Sequence, residues 1–143
     1  MGSLKGTYVH LDVVELEPMD TGMVTVDAEA MGNDIDTAGH VAIYGIHFDT
    51  GKAVVKSESR VAIDEIVKLM NSKPGLKLFI VGHTDNRGEV QYNMDLSHRR
   101  AQAVRDQLVN EYGIDTQRLG AVGMGLFAPV KSNQSEAGRA ENR

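Results

Sequence analysis

A polar loop and the helix predicted after it contain the residue types that could bind a small zwitterion. Asp85 lies in the loop that follows the apolar segment 76–82. Asn93, Leu96 and Arg100 follow the i, i+3, i+7 spacing of one helix face, so they can line one pocket with Asp85. The carboxylate would accept an ammonium group, and the guanidinium would pair with a carboxylate. An Asp85–Arg100 ion pair that only pins the loop to the helix is the alternative, and spacing alone does not separate the two.

Other kinds of site have weaker support. His83 and Asp85 could begin a metal site with His47 and His98, but the chain has no His-Glu-x-x-His motif or second pair of ligands, so we expect no metal. Residues 123–128 match G-x-G-x-x-A, but proline and polar residues follow instead of a helix. We therefore expect these glycines to form a turn and expect no cofactor. No Gly-x-Ser-x-Gly nucleophile elbow is present.

Composition narrows the class of protein. The chain has 143 residues, fits one domain, and has no cysteine, which excludes a disulfide framework and a thiolate metal site. Its net charge is −5, with −7 in residues 1–40 and +2 in residues 41–143. An acidic chain without tryptophan is a poor candidate for binding nucleic acid.

The elements that must position these residues follow from the hydrophobic pattern. Strands are predicted at 7–16, 41–48, 76–82 and 117–124, with a further short one at 24–26. Helices are predicted at 27–38, 57–71, 93–112 and 135–142, the first with Asp27 as N-cap and Gly39 at its end. The order strand–helix–strand–helix–strand from residue 41 predicts an α/β two-layer sandwich with helices packed on a sheet.

Four sequence blocks carry a resemblance to a known family. They are Phe48-Asp49-Thr50-Gly51-Lys52, Val81-Gly82-His83-Thr84-Asp85, residues 92–101 with Tyr92-Asn93 and Leu96-Ser97-His98-Arg99-Arg100-Ala101, and Gly138-Arg139-Ala140-Glu141-Asn142-Arg143. In this order and spacing, residues 41–143 resemble the OmpA-like peptidoglycan-binding family. The resemblance implies a βαβαβ core with helices on a mixed sheet, and residues 1–40 as an N-terminal extension.

The resemblance also implies a ligand. Members hold the diaminopimelate residue of the peptidoglycan stem peptide, and the matching aspartate and arginine here are Asp85 and Arg100. The positions that complete the pocket are Asn93, Leu96, Phe48, Asp49 and Thr50.

What the resemblance implies for function is a non-enzymatic tether between the cell wall and the outer membrane or an envelope complex. We expect a periplasmic chain that reaches the outer membrane through parts absent from this sequence, and a homodimer stays open. Two other functions also stay open. One is a hydrolase of cell-wall peptide that uses His83 and Asp85, and the other is an assembly module that binds only protein.

One departure concerns the end of the chain. The family continues after Asn142-Arg143 with a second arginine and a final strand, and this sequence stops there. Either the sequence ends before that strand, or the strand predicted at 7–16 takes its place.

Overall fold

A parallel sheet with helices on one face forms the described part of the chain, which comprises residues 8–14, 27–127 and 132–142 of a computed structural model. The strands are β1 (Tyr8–Val14), β2 (His40–Tyr44), β3 (Lys77–His83) and β4 (Leu119–Gly125). The helices are α1 (Ala28–Ala38), α2 (Arg60–Ser72), α3 (Val90–Tyr112) and α4 (Glu136–Asn142), with short 3-10 helices at Ser57–Ser59 and Thr116–Arg118. None of the helices in these ranges is long and apolar enough to cross a membrane.

The strands lie in the order β2-β1-β3-β4. Buried side chains from the sheet and from α1, α2 and α3 form one hydrophobic core, which confirms the predicted two-layer α/β sandwich. All three strand pairings are parallel, because each strand is followed by a helix that returns the chain to the same end of the sheet. The mixed sheet that the resemblance implied is therefore not seen within the described residues.

The N-terminal strand β1 occupies a central place in the sheet. In the β1 ladders, Leu11 pairs in register with Val41 of β2 on one side and with Ile80 of β3 on the other. Helix α1 packs against α2, where the backbone N–H of Ala28 donates to Glu65 Oε2 at 3.0 Å. The boundary at residue 40 stays a prediction, but residues before it contribute a strand and a helix to the same sheet and core.

The ends of the helices follow the local signals. Asp27 accepts a hydrogen bond from the backbone N–H of Glu29 at 2.9 Å, and Gly39 ends α1 with a left-handed φ of 77°, as predicted. Gly113 ends α3 in the same conformation, with φ 69°. Helix α3 begins at Val90, three residues before the predicted start. The strand predicted at 24–26 lies outside the described residues.

Strand β2 is shorter than predicted. The apolar run suggested a strand through residue 48, but β2 ends at Tyr44 and Gly45 follows with φ 98°. This left-handed φ takes the backbone out of the extended conformation, and glycine adopts it without a steric cost. Ile46 and Phe48 are nonetheless buried. The prediction that the run is part of the core is therefore confirmed, but the prediction that it is a strand through residue 48 is wrong.

Helix α3 lies so close to β3 and β4 that only glycine fits beneath it. A Cβ at Gly82 would lie 2.1 Å from the Ser97 carbonyl oxygen, and one at Gly123 would lie 2.3 Å from the His98 nitrogen. The Ser97 hydroxyl also accepts the Gly125 N–H at 2.9 Å and donates to the Met94 carbonyl at 2.9 Å. The prediction that the glycines of residues 123–128 form a turn is therefore wrong for Gly123, which lies within β4 and gives α3 room.

Replacing Gly82 by alanine should displace α3 and destabilise the fold. The methyl group would meet backbone atoms, which cannot rotate away, so we expect the free energy of unfolding to fall by about 2 kcal/mol or more. The measurement is urea denaturation followed by circular dichroism. Gly75→Ala is the matched control, since nothing lies within 4 Å of a Cβ at Gly75. Equal unfolding midpoints for the two variants would contradict the tight contact.

Candidate functional site

Two loops and the start of α3 meet at one edge of the sheet. The β2 loop (residues 45–56) follows β2, and the β3 loop (residues 84–89) follows β3. Because the strands are parallel, both loops leave the sheet at its carboxyl edge, where α/β proteins commonly bind ligands. The predicted site residues lie on these two loops and on the first three turns of α3.

Asp85 and Asn93 both hold the backbone of Arg87. Asp85 Oδ1 accepts the Arg87 N–H at 3.0 Å, and Asn93 Nδ2 donates to the Arg87 carbonyl at 2.6 Å. Only 5% of Asp85 and 4% of Asn93 is exposed to solvent. The β3 loop is thus fixed to α3 through one residue, and a carboxylate is kept nearly buried at this edge.

Arg100 holds the β2 loop from the same helix. Its Nε donates to the Lys52 carbonyl at 2.9 Å, and its Nη2 donates to the Asp49 carbonyl at 3.3 Å. The centre of the guanidinium lies 4.8 Å from the centroid of the Phe48 ring, within the range of a cation–π contact. Arg100 is only 7% exposed, so its cation is positioned by two backbone dipoles and one aromatic face.

The other predicted residues divide into a buried and an exposed group. Leu96 and Phe48 are buried, whereas Asp49 and Thr50 are exposed on the β2 loop. Asp49 forms an ion pair with Lys56 at 3.3 Å. The predicted set therefore contains a buried group and an exposed polar group.

Two neighbours of this set belong to the sequence blocks but were not predicted as site residues. One is Lys52, whose carbonyl is an acceptor for Arg100. The other is Tyr92, whose hydroxyl would lie 3.0 Å from a Cβ at Gly51, where φ is 68°. The adjacent Tyr92-Asn93 pair was part of a recognised block, but only the fold shows that its tyrosine touches the β2 loop.

Charged side chains surround the β3 loop. The Arg87 guanidinium pairs with Glu136 of α4, which also pairs with Arg139 at 2.9 Å. Arg99 is exposed and pairs with Asp95 at 2.8 Å. The two adjacent arginines therefore differ, with Arg99 exposed and Arg100 buried.

His83 does not join Asp85. Its Nε2 lies 2.7 Å from Asp12 Oδ1 on β1, and its Nδ1 has no hydrogen-bond partner among the described residues. The residue pair on which the hydrolase alternative relied is therefore not hydrogen-bonded. In the described ranges, no three His, Cys, Asp or Glu side chains group closely enough to hold a metal ion.

Known proteins resemble this chain in sequence and in fold. The model of the OmpA family matches residues 47–143. Outer membrane porin F of Pseudomonas aeruginosa is 45% identical over 98 residues, which are 68% of this chain and 28% of the porin. The chain thus spans under a third of that relative's length.

Two solved structures share the fold. The peptidoglycan-associated lipoprotein from Burkholderia pseudomallei has a TM-score of 0.61 and 32% identity, over 68% of this chain and 82% of the lipoprotein. The cell wall anchor of the T6SS from Pseudomonas aeruginosa has a TM-score of 0.61 and 27% identity, over 85% of this chain and 94% of the anchor. With a family match over two thirds of its length, this chain belongs to the OmpA family.

Proposed function

We propose that this chain binds peptidoglycan without cleaving it, through the diaminopimelate residue of the stem peptide. The observation that carries the proposal is a nearly buried carboxylate, Asp85, and a nearly buried guanidinium, Arg100, on elements that meet at one sheet edge. The names of two similar proteins, a peptidoglycan-associated lipoprotein and a cell wall anchor, support binding to the cell wall.

The distal carbon of diaminopimelate carries an ammonium and a carboxylate, and the two charges suit the two residues. Asp85 would accept the ammonium, and Arg100 would pair with the carboxylate. An ionised carboxylate has acceptor sites for several donors, and a guanidinium has five N–H donors in a fixed fork. The bonds that orient Asp85 and Arg100 are thus compatible with further bonds to a ligand.

Both charges are positioned before a ligand arrives. Asp85 is oriented by the Arg87 N–H, and Arg100 is oriented by the Lys52 and Asp49 carbonyls. Binding would then lose little side-chain entropy, since these rotamers are already fixed. Asn93 supports the β3 loop, Leu96 and Phe48 form the apolar floor, and Asp49 and Thr50 form the rim.

Tethering would come from repetition of the ligand. The cell wall repeats the stem peptide many times, so a protein that is held near it gains avidity over its affinity for one site. We place the chain in the periplasm of a Gram-negative envelope, associated with the outer membrane through parts of the protein outside this sequence. The role is to tether that membrane or an envelope complex to the wall. A homodimer stays a prediction.

Asp85→Asn should abolish capture by purified peptidoglycan sacculi. Asparagine keeps an oxygen for the Arg87 N–H but removes the charge that an ammonium needs, and a hydrogen bond to a charged group contributes about 1.5–3 kcal/mol. A sacculus pull-down measures the bound fraction. Asp95→Asn, an exposed change on α3, is the control and should bind as wild type. Capture of Asp85→Asn at the wild-type level would show that the site is elsewhere.

Arg100→Lys should also bind poorly although it keeps the charge. Lysine lacks the planar fork that can grip a carboxylate and hold the Lys52 and Asp49 carbonyls together. We expect at least a tenfold weaker affinity, with about 1 kcal/mol or more lost in unfolding free energy for the missing backbone bonds. Pull-down and denaturation are both measured, with Arg99→Lys as the neighbouring control. Unchanged binding by Arg100→Lys would mean that charge alone suffices.

Muropeptides with diaminopimelate at the third stem position should compete with sacculi, and muropeptides with lysine there should not. Within the peptide, the α groups of both residues are in amide bonds, so lysine offers a side-chain ammonium but no distal carboxylate, and Arg100 would lose its partner. A site built for a polar group rejects an analogue that lacks it, often by about a hundredfold or more. Isothermal titration with muropeptides of each type measures the ratio. Equal affinities would remove Arg100 from the recognition of the distal carboxylate.

A further inference from the structure

A partly buried side-chain bond joins the N-terminal strand to the last residue of β3. His83 Nε2 lies 2.7 Å from Asp12 Oδ1, and the two residues are 71 positions apart in the sequence. The side chain of His83 is 3% exposed and that of Asp12 is 17% exposed. In the tautomer with hydrogen on Nε2, this N–H donates a hydrogen bond to the Asp12 carboxylate oxygen.

The bond lies where the regular ladder of β3 ends. The β1–β3 pairing stops at Val13 and Gly82, and the β3–β4 register shifts between Gly82 and His83. Beyond this point, the N–H of Thr84 donates to the Gly125 carbonyl at 2.9 Å on the β4 side. On the β1 side, the contact between His83 and Asp12 is the bond that continues past the ladder. The backbone that leads into Asp85 is therefore held from both sides.

Strand β1 also separates the two strands that carry the loops. The sheet order places β1 between β2 and β3, so the β2 loop and the β3 loop do not leave neighbouring strands. The position of β1 therefore sets the distance between the two loops. Asp12 lies between Leu11 and Val13, which face the core, so its side chain points to the other face of the sheet and reaches His83 there.

We propose that Asp12 is a positioning residue for the binding site and acts through His83 on the β3 loop. The N-terminal strand is then part of the scaffold that determines affinity, although it lies before the region that the family model matches. The expected effect of Asp12 on ligand binding rests on the function proposed above. The expected effect on the orientation of the β3 loop in the free protein does not.

The test titrates the full chain and its variants with free diaminopimelate. We expect Asp12→Ala to raise the dissociation constant roughly tenfold at unchanged stoichiometry. At metal centres, loss of a residue that hydrogen-bonds a ligating side chain lowers affinity on a similar scale. Asp12→Asn keeps an oxygen that accepts the His83 N–H and should stay within about threefold of wild type. His10→Ala is the matched control, since His10 is exposed on the same face of β1 and its side chain contacts β3 at the Phe79 ring, away from the β3 loop. If Asp12→Ala does not fold, Asp12→Glu replaces it, because the longer side chain moves the carboxylate.

A purely structural role gives a different result. It would lower the melting temperature and the active fraction, but the dissociation constant of the folded molecules would be unchanged, and this outcome overturns the proposal. A second measurement needs no ligand. In ¹H–¹⁵N spectra of the free protein, the Thr84 and Arg87 amide signals should move in Asp12→Ala and stay in place in His10→Ala. If wild type does not bind diaminopimelate, the proposed function fails, and these signals alone decide the inference: wild-type positions in Asp12→Ala overturn it.

Discussion

The backbone contact between α3 and the glycines of β3 and β4 determines where the α3 side chains of the site can lie. Ser97 sits directly over Gly82, and its hydroxyl accepts the Gly125 N–H, so α3 can neither rise from the sheet nor slide along it without losing contacts. Asn93 and Arg100 lie one turn on either side of Ser97. Asn93 and Arg100 can thus reach the β3 loop and the β2 loop because Gly82 and Gly123 have no Cβ atom.

Burying two charges at this edge costs free energy that the protein offsets with backbone groups. A carboxylate or a guanidinium loses hydration when it is buried, and the loss is tolerated only where hydrogen bonds replace the water. The Arg87 N–H serves Asp85, and two loop carbonyls and the Phe48 face serve Arg100. The same bonds that offset the cost of burial also fix the direction in which each charge points. The hydrogen bonds that compensate for burial therefore also hold the two side chains in place.

Local features of the fold could be predicted from the sequence, and non-local ones could not. Asp27 and Gly39 determine the ends of α1 through their own backbone and side-chain preferences, so a single sequence reveals them. The same holds for Asp85 and Arg100 as candidate binding groups, whose contacts with ligand stay a prediction. The central place of β1 and the Asp12–His83 bond depend on pairing between distant segments, for which periodicity carries no signal. Gly123 was misinterpreted for that reason, since its partner is a helix that precedes it in the chain.

The distance between the two loops explains why an arginine, and not a shorter cation, holds the β2 loop. Neighbouring strands are about 4.8 Å apart, so β2 and β3 are separated by about 10 Å across β1. Helix α3 packs on β3 and β4, on the far side of that gap from the β2 loop. From α3, the long side chain of Arg100 reaches the Lys52 and Asp49 carbonyls of the β2 loop. A long side chain with several donors at position 100 can therefore join α3 to the β2 loop, whatever ligand the site takes.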